Sequence, residues 1–487
     1  MSKLPVAVIG AGPVGLAAAA HLIERNIPVR VYEAGDAVAA NMASWAHVRV
    51  FSPWKLNIDA AARAILRRHG WQEPDGEGMP TGGEIVERYL KPLAAAPEFK
   101  SAIETGARVA AISRLGLDKV TSKGREERPF AIAVETKAGR RTDLARAAID
   151  TSGTWQNQNP MGANGFAAQG ERAHADRIAY GIPDILGKDR ATYAGRRTLA
   201  VGGGHSAANA LIDLATLAEQ DRGVEIIWAL RGTDLTRVFG GGADDRLEAR
   251  GKLGSDLKAL VDRGRLQLVT GFSIETIAEE GDGLVVSGTI ADGPLTLGPV
   301  DRIVAATGQR PDLDMTRELR LDLDPWLESV RALGPDIDPN LHSCGSVPPH
   351  GYKQLSHPEI NFFTAGIKSY GRAPTFLMAT GYEQVRSIAA FLAGDIAAAD
   401  DVRLVLPETG ICTVSFAGEA VTGGGSCCGS APKQVEPVTI ETMAEASACC
   451  GGPTPKEADA CCVKDAEAKA QGEAGCGCGS SAKQQAA

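Results

Sequence analysis

Residues 6–36, VAVIGAGPVGLAAAAHLIERNIPVRVYEAGD, constrain the fold more than any other stretch of the chain. The short apolar run Val6 to Ile9 reads as a strand that delivers Gly10, Gly12 and Gly15 to the start of an alanine-rich helix. A second β-rich run then ends on Glu33. The three glycines answer different demands. Gly10 permits a tight turn, Gly12 lets backbone N–H groups approach a pyrophosphate, and Gly15 lets helix and strand pack closely. Pro13 falls in the first helical turn, where a missing N–H costs nothing. Glu33 stands about twenty residues past the first glycine, where a carboxylate accepts from ribose hydroxyls and repels a 2′-phosphate. The unit is a dinucleotide site with a preference for FAD or NAD over NADP.

The pattern returns at residues 198–207, TLAVGGGHSA, with Gly202 and Gly204 in place and Ala207 where the third glycine stood. About twenty residues on, the strand VEIIWAL ends in Arg231 rather than in an acid. A guanidinium pairs with a ribose 2′-phosphate, so NADPH is the expected ligand here. The bland reading of Arg231 is a solvated strand-end arginine. His205 and Ser206 lie in the turn, and Ser206 reads as the cap of the following helix. A third glycine-ended strand, RIVAATGQRPD with Gly308, has a counterpart at Thr151-Ser152-Gly153, and the two mark a departure from and a return to the first nucleotide fold. Between Pro5 and about Leu406 short β-rich runs alternate with helical ones, the rhythm of parallel α/β sheets. The closing pieces are the strand INFFTAGI, which contains Gly366, and the helical FLMATGYEQVRSIAAFLAGD.

The cysteines divide the chain differently. Of ten, only Cys344 and Cys412 precede the tail, and eight stand as Cys427-Cys428, Cys449-Cys450, Cys461-Cys462 and Cys476-Gly477-Cys478. Around them the composition turns to Gly, Ser, Ala, Pro, Glu and Lys, too polar to offset its chain entropy by burial, so a disordered tail from about 418 is expected. Zinc modules space their ligands by two to four residues in a folded knuckle, and vicinal pairs without histidine suit soft thiophilic ions better. The alternatives are a low-complexity tail without function and a thiol redox relay. A net charge of −9 spread over both signs offers no field for nucleic acid or an anionic membrane. No signal peptide and no run of about twenty apolar residues is read, and the expected location is the cytosol.

The order GAGPVG, GGGHSA and ATGQRPD resembles that of the two-dinucleotide-fold flavoproteins over about residues 5–395, and the GxGxSA form is closest to their flavin-dependent monooxygenase branch. The resemblance implies an α/β architecture of two Rossmann-like domains. An FAD domain (1–189 and 306–417) would carry an inserted NADPH domain (190–305), followed by the cysteine tail (418–487). Three details depart from the branch: TSG replaces ATG at 151, no clean FxGxxxH stands near Phe166, and the usual aspartate after the last FAD strand is missing from Ala365-Gly366-Ile367. Flavin disulfide reductases would need CxxxxC after the first glycine fold or CxxC in the second, and neither is present. Trp45 and Arg49 occupy the region where such a dithiol would lie and are candidates for flavin contact, as is the stretch Phe51 to Trp54; core packing and a surface ion pair are their bland readings.

In combination with the cysteine pairs, the chain resembles NADPH-dependent flavin monooxygenases of arsenic-resistance clusters. That resemblance implies oxygen-dependent oxidation of trivalent arsenic or antimony. Protein groups in such chemistry chiefly orient cofactors and exclude water, and no catalytic side chain is named. A flavin reductase acting on a thiol-bound metal or disulfide, and a metal-sequestering flavoprotein without turnover, remain alternatives.

Overall fold

The computed structural model describes residues 3–404 apart from 241, 243–244, 246, 341–346 and 374–375. Two five-stranded parallel sheets organise it. In the first, the strand order is Phe362–Thr364, Ala147–Asp150, Val6–Ile9, Val29–Tyr32, Ile103–Glu104. In the second it is Gln267–Val269, Glu225–Ala229, Arg197–Val201, Arg302–Ala305, Ile178–Tyr180. Each sheet shares a core with a separate antiparallel three-stranded meander, over residues 108–145 and 273–300 respectively.

The two glycine helices form where the sequence places them. Pro13–Glu24 starts with proline in its first turn, and Ala17, Ala18, Ala19 and Ala20 are fully buried. A helix of small apolar residues can approach a sheet on one side and a second helix on the other. Its partner is the closing helix Met378–Leu392, whose Val385, Ile388 and Ala389 share the same core. Around the second glycine helix, His205–Gln220, the core is built from Leu211, Leu214, Leu217 and Trp228. At about 1.5–3 kcal/mol for each large apolar side chain taken from water, these layers are the main source of order in the two sheets.

The second sheet takes in Ile178–Tyr180, which lies ahead of the expected start of the inserted domain at 190. Three residues are too few to display a period, so this edge strand is invisible to pattern reading. The departure and return segments are joined to each other. Asn159 N–H donates to the Gly308 carbonyl at 2.9 Å, and Arg310 N–H to the Asn157 carbonyl at 3.0 Å. Gln158 and Gln309 form an antiparallel bridge, and Thr307 Oγ1 donates to the Asn159 carbonyl. Among the described residues no helix is long and apolar enough to cross a membrane.

Candidate functional site

The first glycine turn shows which of its glycines the protein itself requires. Gly10 has φ +96°, and a Cβ there would stand 3.0 Å from the Thr151 carbonyl oxygen. A Cβ on Gly15 would stand 2.0 Å from the Gly10 carbonyl oxygen and 2.8 Å from Thr151 Oγ1, an overlap that backbone cannot yield to. Gly12 is different: a Cβ there would meet nothing within 4 Å. Its bareness serves no packing purpose and leaves open the space before the helix N-terminus, where it forms the cap without a side-chain hydrogen bond. Unsatisfied N–H groups and the helix dipole favour an anion there. Glu33 closes the rim by accepting from Ala11 N–H and from Gly35 N–H, both at 2.8 Å, one on each oxygen. Each oxygen keeps a lone pair for a ribose hydroxyl.

The second turn repeats the first. Gly202 has φ +131°, and a Cβ there would lie 2.2 Å from the Ala306 carbonyl oxygen, while a Cβ on Gly204 would again meet nothing within 4 Å. Ala207 is fully buried at the third position. Gly204 caps the helix without a side-chain bond. Ser206 already lies inside the helix, so the expectation that it caps the helix start is corrected: the cap falls two residues earlier, at Gly204, and the helix begins at His205. Arg231 is exposed and donates to the Ala163 carbonyl at 3.2 Å.

Aromatic side chains bridge the two halves. Phe51 meets the His205 ring edge-on, with centroids 5.0 Å apart at 62°. Trp45 and Trp155 lie 6.1 Å apart, Trp45 against Gly82 and Trp155 against Gly181. Trp45 therefore packs at the departure segment. Arg49, by contrast, is largely exposed, donates to the Met79 carbonyl and stands 3.9 Å from Glu84. Gly308, with φ +84°, belongs to the paired crossovers and not to a phosphate loop.

Gly366, with φ +72°, begins the turn after the last strand of the first sheet, and a Cβ there would touch the Val14 side chain at 3.5 Å. Beneath it lies a buried polar cluster that sequence reasoning missed. Gln384 accepts from Gly366 N–H at 2.7 Å and donates to Ser369 Oγ at 2.9 Å, and its Nε2 lies 2.9 Å from His350 Nε2. Beside these, Lys368 Nζ stands 2.7 Å from Asp150 Oδ2 and 3.0 Å from Ser152 Oγ. The available signals were Asp150 directly before TSG and Lys368 directly after Gly366-Ile367; neither belongs to a spacing rule. Burial pushes His350 below the ordinary histidine range and His357 down to about 4, so both rings act as neutral hydrogen-bonding groups. Among the described residues no group of three or more His, Cys, Asp or Glu side chains could hold a metal ion. The eight tail cysteines, with Cys344 and Cys412, lie outside the described residues.

A family model for an NAD(P)-binding Rossmann-like domain matches residues 8–72. No curated protein sequence matches the chain. Among solved structures, the chain is similar to the bacillithiol disulfide reductase of Bacillus cereus, at 18% identity and a TM-score of 0.59 over 80% of this chain and 99% of that one. It is also similar to an FAD-bound cadaverine monooxygenase of desferrioxamine biosynthesis from Erwinia amylovora, at 12% identity and a TM-score of 0.57 over 85% and 99% of the two chains. A third similarity is to the ornithine N-hydroxylase of Kutzneria sp. 744, at 16% identity and a TM-score of 0.51 over 81% and 98%. The fold is that of the two-dinucleotide-binding flavoproteins, with a mixed α/β architecture and two Rossmann-like sheets.

Proposed function

We propose that the chain is an FAD- and NADPH-dependent monooxygenase that oxidises a soft trivalent metalloid, arsenite or a methylated or antimony counterpart, to the pentavalent form. The observation that carries the cofactor part is the matched pair of glycine turns. In each, one glycine is forced by the neighbouring strand and the next stands over open space. Those cradles fit two dinucleotides, FAD on the first sheet and NADPH on the second. When bound, the two supply hydride transfer and oxygen activation: one oxygen atom goes to the substrate, the other leaves as water, and NADPH supplies the electron pair.

The chain's own residues hold and orient. Gly12 and the helix start would hold the FAD pyrophosphate, Glu33 the ribose, and Gly204 and Arg231 the NADPH phosphates. Phe51, Trp45 and Trp155 keep water from the region between the sheets. The metalloid part rests on the paired cysteines Cys427 to Cys478, whose thiolate softness suits trivalent arsenic. A second reading, an NADPH-dependent reductase of a thiol-bound metal or disulfide, is favoured by the similarity to bacillithiol disulfide reductase. The absence of any cysteine before Cys344 argues against a dithiol of the usual placement. Oxygen and NADPH consumption by the purified protein, with and without arsenite, separates the two. Coupled consumption of both with formation of arsenate is expected. NADPH oxidation that proceeds equally without oxygen would overturn the monooxygenase.

A further inference from the structure

The buried ion pair between Asp150 and Lys368 sits where the first sheet reverses its strand order. From Val6–Ile9 the chain runs outward on one side, through Val29–Tyr32 to Ile103–Glu104, then returns to the other side as Ala147–Asp150. The crevice beyond the carboxyl ends of two such strands is where open α/β sheets bind their ligands. Asp150 is the last residue of the returning strand, in register with Ile9 on one side and Thr364 on the other. Lys368 reaches it from the turn that follows Phe362–Thr364.

Both side chains are 1% exposed. Ser152 lies between them. Its Oγ–H donates to Asp150 Oδ1 at 2.7 Å, its N–H donates to the same oxygen at 3.1 Å, and its Oγ accepts from Lys368. An ammonium carries three donors. Ser152 Oγ takes one of Lys368's, and Asp150 Oδ2 faces the ammonium at 2.7 Å as an ion pair while accepting no hydrogen bond. The cluster adjoins the glycine turn directly: a Cβ on Gly10 would come within 3.2 Å of Ser152 Cα.

Stability does not account for these charges. Apolar side chains of similar size would pack the same turns without the cost of desolvating two ions. Their place does account for them. The acid that the resemblance expects after the last strand is absent from Ala365-Gly366-Ile367, and a carboxylate stands instead on the adjacent strand, joined to a lysine. We propose that Asp150 and Lys368 form a potential-setting pair for the flavin: Lys368 favours the negative charge that the ring system takes on when reduced, Asp150 opposes it, and Ser152 fixes their separation. The proposal rests on the FAD reading of the first site.

The test is the midpoint potential of the bound flavin, measured by dye equilibration on full-length protein, for Asp150→Asn, Lys368→Met, Lys368→Arg and the double variant Asp150→Asn/Lys368→Met. Removing the acid should raise the potential and removing the lysine should lower it. The double variant should fall between the two, and Lys368→Arg should stay near the parent. The double variant also guards against a single variant that fails to fold, since it leaves no lone buried charge; if only Asp150→Asn folds, the double variant must lie below it, and if only Lys368→Met folds, above it, and the opposite displacement or none counts against the pair. Shifts of the same sign in both single variants, or no shift in either with flavin retained, overturn the pair's role, because a purely structural tie has no reason to move the potential in opposite directions. A parent protein that purifies without flavin and takes up no added FAD overturns the FAD reading itself.

Discussion

Replacing Gly12 by aspartate should separate folding from cofactor binding. Gly12 caps the helix Pro13–Glu24 at φ −77° and ψ −176°, a conformation open to any residue, and a Cβ there would meet no atom within 4 Å. Aspartate is among the preferred helix caps, so the protein without cofactor should hold its melting temperature or gain a few tenths of a kcal/mol. The same carboxylate would occupy the N–H groups a pyrophosphate needs. At about 5 Å from a phosphate charge and an effective dielectric near 20, the repulsion is about 3 kcal/mol. That corresponds to more than a hundredfold loss of FAD affinity before the lost hydrogen bonds are counted. Gly15→Ala is the control with the opposite signature. Its methyl would lie 2.0 Å from the Gly10 carbonyl oxygen, and overpacking of this kind costs about 1–3 kcal/mol or more of stability. Thermal denaturation of the flavin-free proteins and FAD titration by fluorescence quenching give the two readouts. A Gly12→Asp protein that binds FAD like the parent, or that melts as low as Gly15→Ala, would refute the reasoning.

Arg231→Ala should weaken NADPH by about 1.5–3 kcal/mol, roughly tenfold to a hundredfold, and leave NADH unchanged; equal NADPH affinity in titration calorimetry would count against Arg231. Asp213, on the second glycine helix, has its carboxyl pushed up to about 6, first by burial and then by Asp184. A raised acid leaves stability intact below about pH 4 and loses it as pH rises through about 6, so Asp213→Asn should raise the melting temperature at pH 8 and not at pH 4. The ceiling is about 3 kcal/mol, lowered because the side chain keeps some contact with solvent; a gain that is equal at both pH values would contradict the burial argument. Truncation after Gly418 should leave flavin content unchanged and raise the arsenite concentration needed for half-maximal turnover, as expected of a tether, with much of the rate restored at saturation. Loss of all turnover at every arsenite concentration with flavin still reducible would place the tail thiols in the reaction itself.

The parts of the molecule that the sequence exposed are those where one residue type answers one physical demand. Gly10, Gly15 and Gly202 stand out because only glycine allows backbone to approach backbone at the distances found there. Glu33 was legible because its distance from the glycines is set by one helix and one strand. What stayed hidden depends on contacts between distant segments. Asp150 and Lys368 are separated in sequence by the whole of the inserted sheet, and no local pattern brings a buried lysine to a buried acid. Phe51 and His205 meet only because the two halves fold against each other. Ile178–Tyr180 joins the second sheet through its edge pairing with Arg302–Ala305 and has no alternation of its own. Ser206 shows the converse error: a good capping residue in a plausible place, passed over because the glycine before His205 already opens the helix.

The pairing of residues 157–159 with 308–310 has a mechanical consequence. Two separate linkers would let the inserted sheet swing, slide and spin independently of the first. Joined by hydrogen bonds, they behave as one flat ribbon, which bends readily across its thin dimension and resists shear and twist. A rotation about the ribbon is the motion that this pairing opposes least. The contacts that such a rotation would make or break are those farthest from the axis, and they would part together rather than one at a time.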